Sequence, residues 1–541
     1  MARWFVDRQP QRGIPSVSLR RLLPEARFVG CPDWEVSGCT DDHRRLDPGQ
    51  VFVAIRDARY DGQAYVGEAL DRGAAGVVVE RHCPEAGRLQ VIVDDARTAH
   101  ARICQALAGD PSRQMETIGV TGTYGKTIAS LFIRSILEAS GRRCGLIGAL
   151  EWSDGLASRP MGAGIGQPGL IGPDMAASGA GGTAARLRTP GKGPWPGGAA
   201  GLASILAYMV DQNCSAGVVE ASSGALEGRC FEGVEFQAAI ATDVGVPLGI
   251  PTEVALRKRR AKAKLFQKVA PGGLAVVNAD DPHAEILGGV NLLARRLSYG
   301  TAEPAGVDVW GRIDRMDASG TRFILHGFGR PVPVDLRLIG PRHVSHALAA
   351  ATLALGLDLD REAVVAGLEG VANVAGHLEA VHEGQGFDVR IDAADAAMPL
   401  GQALASLRAI AAGHIHLVLS GEGNQEAADR RSLAEAAERG ADRVILTLGN
   451  PRTEEPDAIL DELLGGFRRP GKVRVLPDRR SAIEAALADA RPGDAVLIAG
   501  KGRNAYQILA DRIIPFDDFA VARAWLRGPH ALPPARTRLP A

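Results

Sequence analysis

The chain has 541 residues, with 62 lysines and arginines against 63 aspartates and glutamates, a net charge of −1, and 46% hydrophobic residues. That length is too great for one core and asks for about three domains at roughly 100–200 residues each. The balanced charge gives no electrostatic basis for nucleic acid or an anionic membrane as the main partner.

Residues 1–113 read as a first unit. The opening Met-Ala-Arg-Trp-Phe-Val-Asp-Arg has no apolar core of a secretory signal, and no apolar run in the chain approaches a membrane span. The seven cysteines (Cys31, Cys39, Cys83, Cys104, Cys144, Cys214, Cys230) all lie in the first half and form no Cys-x-x-Cys pair. They read as scattered reduced thiols of a cytosolic protein, so a cytoplasmic chain is expected. Asp47-Pro-Gly49 is a turn, and residues 51–55 are a continuous apolar strand. Residues 66–72 suit a helix, 73–80 and 91–94 suit strands, and 96–107 suit a helix. The polar cluster Thr40-Asp41-Asp42-His43-Arg44 reads on its own as an exposed loop.

Residues 114–332 form a central unit around Ile118-Gly-Val-Thr-Gly-Thr-Tyr-Gly-Lys-Thr127. A β-branched run, 117–120, predicts a buried strand, and apolar residues at helical spacing predict a helix over 128–140. Between them Gly122 and Gly125 let backbone N–H groups turn inward around phosphate oxygens, with Thr123 in the same loop. The helix start adds its positive dipole end. Lys126 is placed to reach the terminal phosphates and Thr127 to hold Mg²⁺. The strict phosphate-loop spacing wants glycine where Val120 stands, so this is a variant loop. Residues 153–200 are rich in Gly, Pro, Ala and Ser without hydrophobic periodicity, and read as a long loop or insertion. Further on, 203–212 suits a helix, 216–220 is a strand ending in Glu220, and 238–242 is another. A basic helix spans 253–269, and the strand 274–278 runs into Asn278-Ala-Asp280-Asp281. Carboxylates just beyond strand ends of a parallel sheet suit nucleotide-associated Mg²⁺. Helix capping is the competing role for Asp280 and Asp281.

The remainder, 333–541, alternates helices (343–355, 432–439, 481–490) with strands (416–419, 443–447, 495–499). That alternation again argues for a parallel sheet. Its strands end in Ser420-Gly-Glu-Gly423, Gly449-Asn-Pro-Arg452 and Gly500-Lys-Gly502, where open α/β sheets bind ligands.

Taken in order, these residues resemble the Mur ligases over nearly the whole chain. Those enzymes are ATP-dependent amide-forming enzymes of peptidoglycan synthesis, and the likeness is strongest to the branch that adds the third peptide residue. The family's Asp-Ser-Arg, Pro-Gly and Phe-Val-Ala look like Asp42-His43-Arg44, Pro48-Gly49 and Phe52-Val53-Ala54. Its Thr-Gly-Thr-Asn-Gly-Lys-Thr loop is matched except at Tyr124. Its Thr-Thr-Pro looks like Arg188-Thr189-Pro190. Its Glu-Val-Ser-Ser-His-Ala-Leu looks like Glu220-Ala-Ser-Ser223-Gly-Ala-Leu226, with Arg229 nearby. Ala261-Lys262-Ala-Lys-Leu-Phe266 matches the motif whose lysine is carbamylated to grip Mg²⁺. Gly449-Asn450-Pro451-Arg452 looks like the motif of members that use meso-diaminopimelate.

The resemblance implies an α/β, three-domain Mur ligase architecture: a UDP-sugar-binding-like domain at 1–113, a P-loop domain with a central parallel sheet at 114–332, and a Rossmann-like domain at 333–541. It implies ATP and Mg²⁺ as cofactors. Catalytic roles fall on Lys126, Lys262 and Glu220, nucleotide contacts on Gly122, Thr123, Gly125, Lys126, Thr127, Asn278 and Asp392, and metal contacts on Thr127, Glu220 and Lys262. UDP-N-acetylmuramoyl-dipeptide and the amino acid fall to Asp42, Arg44, Thr189, Ser223, Arg229, Asn450, Pro451, Arg452 and Gly500. A carboxylate attacks the γ-phosphoryl group of ATP, and an amine displaces phosphate from the resulting acyl phosphate. A working monomer is expected.

Several family positions differ. The metal-binding His becomes Leu248 and its acidic neighbour Pro247, the His after Ser-Ser becomes Gly224, and an Arg becomes His377. The motif Asp-Tyr-Ala-His-Thr-Pro becomes Asp392-Ala-Ala-Asp395-Ala-Ala397, and Gly-Lys-Gly-His-Glu becomes Gly500-Lys-Gly-Arg503-Asn504. Two alternatives therefore stand beside the ligase: a nucleotide- or precursor-binding paralogue with little turnover, and a related ligase for another carboxylate of folate or cyanophycin type. The Asp42–Arg44 block opposes the second.

Overall fold

The structure is a computed structural model that describes residues 16–30, 32–56, 60–149, 151–160, 198–246, 250–287, 293–301 and 306–528. The chain divides into two compact units. One holds residues 1–245, 256–298 and 352–364, and the other holds 246–255, 299–351 and 365–541.

Beside the two-stranded pair of Val17–Ser18 with Glu35–Val36, the first unit contains two larger sheets. The smaller has five strands in the order Arg27–Val29, Gln90–Ile92, Gly76–Val79, Val51–Val53, Cys39–Thr40, parallel except for the first. Val51, Phe52, Val53, Val77, Val78 and Val79 are completely buried. Burial on both faces explains why these strands are apolar throughout rather than alternating. The helix Ala96–Leu107 packs on one face, capped by Asp95, whose carboxylate accepts from the Thr98 amide at 3.0 Å.

The second sheet carries the phosphate-loop strand Glu116–Thr121 between the parallel strands Ala216–Glu220 and Phe236–Ala241. Its register sets the site: Glu220 lies beside Val120, and Ala241 beside Thr121, so the three strands end level. Gly119 has no side chain because the helix Thr252–Phe266 comes too close. A Cβ there would meet Leu265 Cδ1 at 2.7 Å. Lys262, one turn before Leu265, is thereby carried on the face turned toward the sheet.

The expected central parallel sheet is present, with antiparallel strands added at its edge. Glu151–Ser153 and Ser158–Pro160 form antiparallel strands beside Cys144–Ile147. The helix before Ala216 begins at Gly198. The two ends of the Gly/Pro-rich stretch are therefore regular structure, ordered by Trp152 and the apolar face of that helix in one core. The rest of that stretch, 161–197, lies outside the described residues.

In the second unit, Val309–Asp317, Gly320–His326 and Val332–Leu336 form an antiparallel meander. A six-stranded sheet follows in the order Glu379–Ala380, Asp388–Asp392, Ala495–Ala499, Ile415–Gly421, Arg443–Leu448, Val473–Val475, parallel except at the first strand. Apolar clusters lie on both of its faces, the arrangement of a doubly wound sheet. Under one face, Arg479 and Asp518 form a completely buried two-bond ion pair, with Nε–Oδ1 2.8 Å and Nη2–Oδ2 2.6 Å. Among the described residues no helix is long and apolar enough to cross a membrane.

Candidate active site

The phosphate loop turns on two glycines. Gly125 has φ 78°, and Gly122 has φ 154° with Thr242 Oγ1 standing where a Cβ would go. Both conformations suit glycine. The helix Lys126–Ala139 starts directly after, so Lys126 and Thr127 stand at its positive end. Lys126 Nζ curls back onto the loop carbonyls, donating to Gly122 O at 2.9 Å and Thr123 O at 3.3 Å. The loop's Thr123 and Tyr124 amides donate to the Asp243 carboxylate, which occupies the place an anion would take. Burial raises the Asp243 pKa above its ordinary 3.8, against the pull of the Thr123 amide and Lys262.

Glu220 reaches the same place from the neighbouring strand. It is 4% exposed, and its carboxylate lies beside the Thr127 hydroxyl and the Ala149 amide without a well-formed hydrogen bond to either. Burial raises its pKa, while the charge of Lys126, the Thr127 hydroxyl and the Ala149 amide pull it down. A carboxylate buried this deeply and held only weakly is costly. With a threonine hydroxyl beside it at a helix start, it is the oxygen donor set that suits a hard divalent cation, so the residues present fit Mg²⁺.

Lys262 is 3% exposed and donates to Thr123 Oγ1 and, at 3.0 Å, to Gly245 O. Burial holds its pKa down to about 8, with Asp243 pulling it back up. Asn278 ties the sheet end together through Thr242 O at 2.8 Å. Asp281 accepts from the Val244 and His283 amides, a structural role close to the capping alternative. Ser223 opens the short helix Ser223–Glu227. Arg229, at φ 59°, faces Asp95 at 3.3 Å. In the small sheet's loop, Arg44 grips Asp42 with two bonds of 2.8 and 2.9 Å. The pair is pre-arranged rather than splayed, and the Arg44 side chain holds the Asp42 pKa down.

The second unit gathers its own set at strand ends. Asn450 is 2% exposed, donates to Glu422 Oε1 at 3.0 Å and accepts from the Ile508 amide at 2.9 Å. Past Pro451, the Arg452 amide donates to Ile508 O at 3.0 Å with φ at 56°. Its guanidinium then faces Glu422 Oε2 at 3.6 Å. The neighbouring Glu454 is engaged by buried Arg430 rather than by Arg452. Gly500, at φ 107°, sits against Ser420, whose hydroxyl lacks a partner among the described residues. Lys501, 2% exposed, donates to the Asn504 and Tyr506 carbonyls.

Residues 197–354 match the Mur ligase middle domain and residues 376–502 match the Mur ligase glutamate ligase domain. A UDP-N-acetylmuramyl-tripeptide synthetase from Roseiflexus sp. is 34% identical over 510 residues, 90% of this chain and 94% of its own length. A UDP-N-acetylmuramoyl-L-alanyl-D-glutamate–2,6-diaminopimelate ligase from Alkalilimnicola ehrlichii is 34% identical over 521 residues, covering 92% and 97%. The chain belongs to the Mur ligases. A solved structure of a UDP-N-acetylmuramoyl-L-alanyl-D-glutamate–2,6-diaminopimelate ligase superposes with TM-score 0.64 at 24% identity, covering 94% of this chain and 99% of that one. A Mycobacterium tuberculosis folylpolyglutamate synthase, complexed with ADP and AMPPCP, gives 0.58 at 18% identity over 80% and 96%. The fold is the three-domain Mur ligase fold.

As a Mur ligase, the chain handles its divergent positions in different ways. Gly224, where the family has His, is exposed with open space around its Cβ position, so a side chain is missing rather than excluded. His377, in place of an Arg, is kept neutral, with burial and then the Arg342 charge pushing its pKa to about 4. Asp392 spends its carboxylate on the Leu378 and Ala394 amides at 2.8 Å each, and burial raises its pKa to about 6. It lies in the other compact unit from the phosphate loop. Thr189, Pro247 and Leu248 lie outside the described residues. Asp243 and Glu422 are functional candidates beyond the expected site residues, although Glu422 lies in the strand-end loop Ser420-Gly-Glu-Gly423. A sequence signal existed for each, an acid immediately past a buried strand.

Proposed function

We propose that this Mur ligase adds meso-diaminopimelate to UDP-N-acetylmuramoyl-L-alanyl-D-glutamate, using ATP, in the cytoplasm. The names of the relatives from Roseiflexus and Alkalilimnicola support the substrate pair. The observation that carries the choice of amino acid is the Arg452–Glu422 pair at the strand ends. The far end of diaminopimelate is a zwitterion. A guanidinium suits its carboxylate bidentately and an adjacent carboxylate suits its ammonium. Glu422 then takes the place of the family acid lost at Asn504. Lysine brings only the ammonium, and leaves Arg452 without its anion.

On this reading Lys126 and the loop amides hold the ATP phosphates, with the Asp243 carboxylate giving way to them. Glu220, Thr127 and Lys262 are the residues that would hold Mg²⁺, which neutralises phosphate charge when bound. Lys262, with its pKa near 8, has the neutral amine fraction that carbamylation consumes. Asp42 and Arg44 serve the UDP-sugar, with Ser223, Arg229 and Thr189 on the peptide side and Asn278 on the nucleotide side. The substrate carboxylate takes the γ-phosphoryl group, and the amine of the amino acid then expels phosphate. Such transfer rests on positioning and charge neutralisation. The three domains run 1–113, 114–332 and 333–541.

Competition between meso-diaminopimelate and lysine tests the reading. Wild type is expected to prefer diaminopimelate, and Arg452→Ala to lose that preference by about 10- to 100-fold, the range of a charge-assisted pair. A wild-type preference for lysine, or a preference unaltered in Arg452→Ala, contradicts it.

A further inference from the structure

Three side chains outside the ligase machinery converge on one point of the first unit. Cys39 comes from the last strand of the small sheet. His100 and Cys104 come from one face of the helix Ala96–Leu107, a turn apart. Cys39 Sγ lies 3.7 Å from Cys104 Sγ, and Cys104 Sγ lies 3.4 Å from His100 Nε2. All three ligand atoms fall within 4.8 Å of one another. His100 and Cys104 are each 3% exposed. The surrounding side chains are small, with Ala108, Ala200, Ala203 and Ala207 packed around the two thiols.

Two of the three spacings fit a tetrahedral ion. A tetrahedral zinc ion with Zn–S of about 2.3 Å and Zn–N of about 2.0–2.1 Å has an S···S edge of about 3.8 Å and an S···N edge of about 3.6 Å. The two observed separations match those edges without rearrangement, whereas a disulfide needs the sulfurs to close to about 2.0 Å. We propose that Cys39, His100 and Cys104 form a binding site for a soft divalent metal ion of the zinc class, with the fourth position open to water or a further oxygen donor. Two thiolates and an imidazole are the donors that select such an ion over Mg²⁺ or Ca²⁺. The site staples the strand Cys39–Thr40, and with it the turn bearing Asp42 and Arg44, to the helix.

The test uses the full-length reduced protein, stripped with chelator and titrated anaerobically with Co²⁺ and then Zn²⁺. One Co²⁺ per chain is expected, with a thiolate-to-metal charge-transfer band that Zn²⁺ abolishes. The thermal midpoint is expected to rise with Zn²⁺ by mass action. Cys39→Ser and Cys104→Ser lose the band, and Cys230→Ser, with its sulfur outside the cluster, keeps it. Cys39 is the less buried thiol, so its variant serves if Cys104→Ser does not fold. The proposal is overturned if folded wild type shows no band, if the band survives in Cys39→Ser, or if reduced wild type refuses metal and closes a Cys39–Cys104 disulfide in air.

Discussion

At the scale of single residues, the phosphate-loop site holds acids against the cost of burial. Glu220 is the clearest case. Burial raises its pKa above the ordinary 4.5, so the folded chain keeps that proton over a pH range in which the unfolded chain has released it. Stability is then lost as pH rises through that range, and the loss is complete above the folded pKa. Glu220→Gln is expected to stabilise the Mg²⁺-free protein at neutral pH by on the order of 1–3 kcal/mol, the cost of a poorly solvated buried group, with no gain at pH values below 4.5. Denaturant titrations at the two pH values check this. The same change is expected to lower Mg²⁺-dependent turnover. A variant less stable than wild type at neutral pH would contradict the buried-acid picture. Lys126 supplies the opposite charge. Lys126→Ala is expected to weaken ATP binding by about 10- to 100-fold, as loss of a charge-assisted contact to phosphate does. Unchanged affinity by calorimetry would remove the loop assignment.

At the scale of elements, the readings that succeed are those in which one strong period has no competitor. The helix 96–107 and the strands 216–220 and 495–499 are legible to the residue, because apolar runs of that length between turn residues allow one reading. Gly-Lys-Thr between strand and helix fixes the phosphate loop for the same reason. The meander from Val309 to Leu336 is not legible in that way. Thr321, Phe323 and Leu325 alternate as a half-buried strand, but arginines and glycines in the partner strands dilute the pattern. The metal-type cluster is invisible because Cys39 and Cys104 lie 65 residues apart, and their approach is tertiary. Arg452's partner is equally remote: adjacent Glu454 and Glu455 are the local guess, and packing of buried Arg430 on Glu454 overrides it. Another tertiary feature is the Arg479–Asp518 pair, which joins the helices Arg479–Asp489 and Asp518–Arg527 with no exposure at either side chain. Asp518→Ala leaves the guanidinium buried and unpaired, and is expected to cost about 3–5 kcal/mol in thermal or denaturant unfolding. The double variant Arg479→Met/Asp518→Leu is expected to recover most of that loss. A single variant within about 1 kcal/mol of wild type would show the pair to be dispensable.

At the scale of the whole molecule, the family is secure, and the weight falls on what a Mur ligase with these residues does. The core strands and the phosphate loop follow the family pattern, while Gly224, His377 and Asn504 stand where the family motifs have other residues. The retained groups form two matched sets, one in each compact unit. Lys126, Thr127, Glu220 and Lys262 suit phosphoryl transfer, and Asn450, Arg452 and Glu422 suit a zwitterionic amino acid. A binding protein without turnover needs only the first part of that inventory. The most direct measurement is phosphate release by the full-length protein with ATP, Mg²⁺ and UDP-N-acetylmuramoyl-L-alanyl-D-glutamate, with meso-diaminopimelate or lysine added in turn. The account predicts release that requires the precursor and meso-diaminopimelate together and yields the tripeptide product. ATP binding without amino-acid-dependent phosphate release, or release supported better by lysine, would contradict it.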